Sequence, residues 1–261
     1  MAKVSGIERV KSGVKGFDGL VGGGFIRGQS ILVCGMPGTG KTIFALQFLY
    51  RGAVENNENG LFVSVEDDPE KLKTYGKGFG WDLEKLQKEG KLEFLKVPID
   101  HIGYNIVETI TRAAKKIKAQ RIVVDSLSAL NINARMFSLP LKDQPDPTGV
   151  LGRDKVLKVA GYAPFEDVSQ FTYLFINRVN DLGATSIYLT DSPPGTELLT
   201  KDGVSEFACD GVIQMQLNDT SKNVNRTVAV KKLRGTEIVP GANLLKFTKS
   251  GLEVGEFKAF Y

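Results

Sequence analysis

Histidine is nearly missing from this chain: His101 is the only one among 261 residues, so a histidine-rich metal centre is excluded and little pH switching can come from histidine. His101 itself reads as structural or solvated. Cysteine is almost as scarce. Cys34 and Cys209 lie far apart, and Cys34 falls in an apolar stretch suited to a buried strand, which argues against a disulfide framework and for a reducing compartment. No apolar run approaches the roughly 20 residues needed to cross a bilayer. The opening Met1-Ala2-Lys3-Val4-Ser5 lacks a signal-peptide core, so the expectation is a soluble, cytoplasmic protein with no membrane role. Charge of one sign is also not in strong excess. With 34 basic and 30 acidic residues the net charge is +4, which neither requires nor excludes nucleic acid.

What the chain does have is apolar content of 42%, enough for one large α/β domain over residues 1–261; two small domains are the less favoured reading. Its organising stretch is Gly35-Met36-Pro37-Gly38-Thr39-Gly40-Lys41-Thr42, which fits the phosphate-binding pattern G-x-x-x-x-G-K-[ST]. An apolar strand signal at Ser30 to Cys34 precedes it, and helical spacing of Phe44, Phe48 and Leu49 follows from Ile43 onward. The glycines let consecutive backbone N–H groups converge on one anion, and the helix start adds partial positive charge. The Lys41 ammonium can reach β- and γ-phosphates, and the Thr42 hydroxyl can meet Mg²⁺.

Acids follow two of the predicted strands. Gly60 to Val65 is a strand signal that runs into Glu66-Asp67-Asp68-Pro69, with Asp68 as a helix cap and Pro69 at the first helical position. In open parallel sheets the ligand crevice lies at the carboxyl ends of the strands, so Glu66, with Asp67 beside it, can orient a water and take its proton. The competing account is that these acids complement a helix N-terminus. Arg121 to Val124 ends in Asp125, which suits a magnesium ligand acting through water.

Other expectations fill in the chain. The glycine-dense residues 13–28 read as a strap without regular elements, anchored by Phe17, Leu20 and Phe25, or else as a flexible leader. Short helices are predicted around Trp81, a strand over Glu93 to Val97, and an amphipathic helix over Asn105 to Ala119. Residues 131–166, rich in proline and mixed charge, form either a partner- or pore-facing insertion or a passive excursion. A helix follows over Asp167 to Leu182, then a strand over Ser186 to Thr190 that ends near Asp191. Later strands are predicted over Val212 to Leu217, Thr227 to Arg234 and Leu244 to Phe247. In the second of these, strict alternation puts Val228, Val230, Lys232 and Arg234 on one face. Lys232 and Arg234 can then act as a pair, or form ordinary surface.

These residues together resemble the KaiC-like ATPases of the RecA superfamily. The likeness is carried by Gly16-Phe17-Asp18, Gly22-Gly23-Gly24, the loop Gly35 to Thr42, Glu66-Asp67, Phe79-Gly80-Trp81-Asp82-Leu83, Asp125-Ser126, Gly183-Ala184-Thr185, Glu206-Phe207 and Lys232-Leu233-Arg234-Gly235-Thr236. The resemblance implies a RecA-like fold with a mostly parallel central sheet, flanking helices and a C-terminal antiparallel extension. It implies ATP with Mg²⁺ between subunits of a hexameric ring, coupled to an unidentified protein partner. It further implies that Lys232 and Arg234 reach a neighbour's γ-phosphate, with Leu233 and Thr236 beside them, and that Phe79 lines a nucleotide base. Ile43 belongs to the loop's binding set. One loop and no internal repeat set this chain apart from the tandem clock proteins, and it has Thr190-Asp191-Ser192 where many relatives carry Thr-Glu. Kinase activity and clock function are therefore not carried over. No [NT]-K-x-D signature appears, which favours ATP over GTP. The alternative is a RadA/RadB-like DNA-binding ATPase.

Overall fold

A computed structural model describes residues 6–98, 106–131, 166–220 and 223–255. His101 and the first residue of the predicted helix at Asn105 fall outside these, as does the insertion apart from its two ends.

Nine strands form one sheet in the order β11-β10-β9-β8-β3-β7-β6-β4-β5. The parallel part consists of β3 (Ser30–Gly35), β4 (Gly60–Ser64), β5 (Leu92–Lys96), β6 (Arg121–Asp125), β7 (Thr185–Asp191) and β8 (Gly211–Thr220). Antiparallel β9 (Asn223–Leu233), β10 (Ala242–Thr248) and β11 (Gly251–Gly255) extend it from β8. This is the expected mostly parallel sheet with a C-terminal antiparallel extension. β3, β4 and most of β6 are buried throughout, as their near-continuous apolar sequences require of strands covered on both faces.

One face carries the first core, built on Phe17, Phe25, Phe44, Phe48, Phe62 and Leu252. It packs under α2 (Lys41–Glu55), whose buried side chains include Phe44, Phe48 and Leu49. The other face carries Leu32, Val63, Val124 and Tyr188 beneath α5 (Ile106–Ile117) and α6 (Glu166–Asn180). α3 (Pro69–Lys77) and α4 (Leu83–Lys88) join β4 to β5, with Pro69 in the first turn as anticipated.

The sequence reading differs from the structure in three places. The glycine-dense strap holds regular elements after all: β1 (Arg9–Val10) pairs with β2 (Phe25–Ile26), and α1 (Phe17–Leu20) lies between them. Phe17 and Phe25 are fully buried, and their rings pack against each other and against Phe44 and Phe48, so apolar anchoring compensates for the glycines. Strand β11 was not anticipated, because Leu252, Glu253 and Val254 between two glycines give too short a pattern.

The third difference is in β9. Val212 pairs with Lys232 but Ile213 pairs with Val230, so Lys231 is an extra residue and the alternation slips by one. Val228, Val230 and Leu233 face the first core, while Lys232 and Arg234 turn to the opposite face. The two cations stay together, but not on the face of the valines.

Candidate functional site

Register brings the chemistry to one edge. Gly35 at the end of β3 lies opposite Asp191 on β7 and Met215 on β8, and Ser64 on β4 lies opposite Asp125 on β6. The loop Gly35 to Thr42, the Glu66 turn, Asp125 and Asp191 therefore share the carboxyl ends of adjacent parallel strands, the ligand-binding side of such sheets. β3, at their centre, is also where the chain order reverses, with β7 on one side and β8 on the other.

Backbone geometry explains the loop's residue types. Gly40 has a φ of 105° at the cap of α2, and a Cβ there would come within 2.9 Å of the Phe247 ring. A Cβ on Gly35 would meet the Met215 carbonyl oxygen at 2.3 Å. Pro37 and Gly38 form the exposed tip, and Thr39 beneath them is fully buried, its hydroxyl donating to the Met36 carbonyl at 2.8 Å. Ile43 packs partly into the first core and so fixes the start of α2 from below. The first amides of a 15-residue helix face the loop, an arrangement suited to an anion.

The side chains of the site are coupled. Lys41 Nζ donates to the carbonyls of Gly35 (2.7 Å) and Met36 (3.2 Å) and to Asp191 Oδ1 (3.1 Å). The Thr42 hydroxyl donates to Asp125 Oδ2 at 3.0 Å. Burial pushes the Asp125 carboxyl up to about 7; the Thr42 hydrogen bond opposes the shift, and the neighbouring carboxylates of Glu66 and Asp67 add to it. A carboxyl desolvated beside other acids favours a cation. The hydroxyl and carboxylate oxygens of Thr42 and Asp125 are the hard donors Mg²⁺ takes, and one or two protein carboxylates suffice when phosphate and water complete the shell. The residues present fit that ion.

Glu66 and Asp67 are placed differently. Ser126 Oγ donates to Glu66 Oε1 at 2.6 Å and so holds that carboxylate toward the end of β6. Asp67 Oδ1 is paired with Lys71 at 2.6 Å, one helical turn along. Glu66 is thus the oriented acid of the two.

Phe79 is half-buried and packs near Trp81 (ring centroids 4.9 Å apart) and Phe247 (6.3 Å). Phe247 in turn lies against Gly40 and beneath Arg226, whose guanidinium carbon is 4.8 Å from the ring centre. Arg226 Nε also donates to the Gly38 carbonyl at 3.2 Å. Phe79 is thereby joined to the phosphate loop through aromatic packing.

Lys232 and Arg234 are elsewhere. Lys232 is paired with Val212 at the start of β8, and Arg234 reaches Asp210, just before it. Gly211 is in register with Ile31 and Met215 with Gly35, so four residues of strand, about 13 Å, separate that end from the loop. Lys232 Nζ donates to the carbonyls of Glu206 (3.0 Å) and Cys209 (2.7 Å) around the short helix α7 (Ser205–Ala208). Arg234 Nη1 lies 3.3 Å from Asp210 Oδ1. The Leu233 side chain is buried in the core, which leaves only its backbone for binding; Thr236 Oγ1 accepts from Arg9 at 3.1 Å.

The structure adds Asp191, Ser126, Phe247 and Arg226 to the residues expected from sequence. For Asp191 a signal existed, an acid ending an apolar strand like Asp125. Phe247 and Arg226 belong to antiparallel strands far along the chain, and no local pattern links them to the loop.

Comparison with known proteins bears on the family and the fold. A family model for the KaiC ATPase matches residues 10–138 and 154–259. The circadian clock oscillator protein KaiC of Parathermosynechococcus lividus is 30% identical over 97% of this chain, which spans only 43% of that protein. A UPF0273 protein of Methanocaldococcus jannaschii is 30% identical over 88% of this chain and 89% of its own length. The crystal structure of a KaiC-like protein from Pyrococcus horikoshii OT3 superposes with a TM-score of 0.76 at 31% identity, covering 96% of this chain and all of that one. Matched by the family model over most of its length and by relatives of similar size, the chain belongs to the KaiC ATPase family.

Proposed function

We propose that the chain, acting as a single domain, binds ATP with Mg²⁺ at the subunit interfaces of a hexameric ring in the cytoplasm and hydrolyses it slowly, with nucleotide state controlling a protein partner. The observation that carries this reading is the division of charge between the two ends of the parallel sheet. Lys41, Thr42, Asp125 and Glu66 lie at one end, and Lys232 and Arg234 at the other. One chain cannot bring both sets to the same phosphate, whereas neighbouring copies can. The two buried free thiols favour the reducing interior of the cell.

In this mechanism the loop amides from Gly38 to Thr42 and the Lys41 ammonium hold the β- and γ-phosphates, and Pro37 and Ile43 fix the two ends of that cradle. Thr42 and Asp125 would hold Mg²⁺, which when bound would supply Lewis-acid charge stabilisation to the phosphates. Glu66, oriented by Ser126, positions the attacking water and accepts its proton; Asp67 holds the turn through Lys71. Phe79 offers an aromatic face to the base. Lys232 and Arg234 of the adjacent copy, with Leu233 and Thr236 shaping their turn, neutralise charge as it develops. A cation supplied in trans contributes about 10³–10⁵-fold in related phosphoryl transfers.

The test mixes Lys41→Ala and Arg234→Ala subunits, each inactive alone. Mixed assemblies, verified as hexamers by native mass spectrometry, should regain ATP turnover where an intact loop meets an intact arginine. Verified mixed rings that recover nothing would refute the trans role, and wild-type chain that binds no adenine nucleotide with magnesium would refute the whole reading.

A further inference from the structure

Asp191 carries a role that the proposed reaction does not use. Its position is fixed by β7, directly across from Gly35, and its backbone N–H donates to Ser128 Oγ at 2.8 Å. Its carboxylate lies between two ammonium groups, Oδ1 at 3.1 Å from Lys41 and Oδ2 at 3.6 Å from Lys201. Lys41 is largely buried and Lys201 about half exposed. Any phosphate on the loop needs the Lys41 ammonium, so phosphate and Asp191 compete for one cation.

Resting on the ATP-binding reading above, we infer that Asp191 is an exchangeable counter-ion, shared between Lys41 and Lys201. It passes to Lys201 when a triphosphate takes the Lys41 ammonium, and so links loop occupancy to the segment that positions Lys232 and Arg234.

That segment is a continuous hydrogen-bonded unit. Thr200, next to Lys201, is buried, and its hydroxyl lies within hydrogen-bond reach of the carboxylates of Asp202 (2.9 Å) and Glu206, donating its one proton to either. Asp202 accepts from the backbone N–H of Val204 (2.9 Å) and Ser205 (3.0 Å) and from Ser205 Oγ (2.6 Å), which fixes the start of α7. The carbonyls after that start hold Lys232, and Asp210 holds both Arg234 and the Ser30 amide at the head of β3. A carboxylate with two discrete cationic partners is a two-state element, and a ligand that prefers one pairing shifts it. Asp191 is therefore a positioning residue: it acts on the phosphate through Lys41, and on the neighbouring site through Lys201.

The measurement is binding of a non-hydrolysable ATP analogue with magnesium to the full chain by calorimetry, together with steady-state ATP turnover. D191N removes the competitor, so the analogue should bind about two- to fivefold tighter, the range of a partly exposed ion pair. Its kcat should fall while KM also falls, because the message to the other end is lost. K201Q leaves Asp191 with Lys41 alone, so binding should weaken by a similar factor, and K201R should restore it. A merely structural role would weaken binding in both variants. Lys201 is exposed enough for K201Q to fold, so the pair of K201 variants decides the matter if D191N does not. Wild-type binding with no gain in folded D191N, or no loss in K201Q, overturns the exchange alone; wild-type chain that binds no nucleotide overturns the underlying reading instead.

Discussion

The two ends of the parallel sheet both concentrate charge, and they handle it in opposite ways. At the amino ends of β4 and β6, Arg121 is fully buried. Its Nε meets Glu58 Oε2 at 2.6 Å, its Nη1 donates to the carbonyls of Phe48 (2.7 Å) and Lys11 (2.9 Å), and the guanidinium lies 4.4 Å over the Phe48 ring. Arg27 closes the network by pairing with Glu58 and with Glu8. A Cβ on Gly52 would clash with Arg121 at 2.3 Å, so α2 carries glycine where the side chain passes. At the carboxyl ends, Asp125 is pushed up by burial and by other acids, and Lys41 and Lys201 share the one carboxylate of Asp191. One network is neutralised by ion pairs within the chain, with Arg27 Nε and Arg121 Nη2 lacking aligned hydrogen bonds; the other holds charges that a phosphate and a divalent ion would satisfy better. Burial of charge alone does not mark a site, whereas burial with incomplete neutralisation does.

The largest effect is expected at the closed end. Arg121→Met removes one partner of a buried pair and leaves Glu58 with Arg27 only, which should cost about 3–5 kcal/mol of stability. Chemical denaturation measures the loss, and the folded variant should bind nucleotide as wild type does. Weakened binding without a shift in the denaturation midpoint would break the contrast. The next effect is at the open end: Glu66→Gln keeps the Ser126 hydrogen bond but removes the base, so turnover should fall about a hundredfold or more while stability moves by no more than about 0.5 kcal/mol. Single-turnover hydrolysis unchanged in Glu66→Gln would remove the carboxylate from the chemistry.

Much of this was legible in the chain. Strands buried on both faces announce themselves as apolar runs, and the candidate loop and acids follow such runs directly, so the placing of Gly35 to Thr42, Glu66 and Asp125 at strand ends was legible in sequence. What stayed hidden depends on contacts between distant segments. Arg121 looks like an ordinary strand-initial arginine until Glu58, Arg27 and two carbonyls surround it. The Lys231 bulge leaves no mark on the residue pattern, yet it decides which face Lys232 and Arg234 occupy. β1 and β2 are too short for any periodicity, and their pairing depends on Phe17 and Phe25 reaching α2.

The smallest effect sharpens the comparison through pH. Burial by itself raises the Glu58 carboxyl, but the hydrogen bond from Arg27 and the charge and hydrogen bond of Arg121 outweigh it, so its native pKa lies below the ordinary carboxylate value. Unfolded glutamate titrates near 4.3. Above that pH both states are ionised and the full stabilisation is present. As pH falls further the unfolded chain takes up its proton first, and stability drops until the native carboxyl also protonates, by about 1.4 kcal/mol for each unit separating the two values. Denaturation curves collected from pH 7 to pH 3 for wild type and Glu58→Gln should therefore differ by a constant amount at the upper end and converge in the acid range. Parallel curves throughout would mean that the closed network does not lower the Glu58 carboxyl, and the distinction between the two ends would then rest on geometry alone.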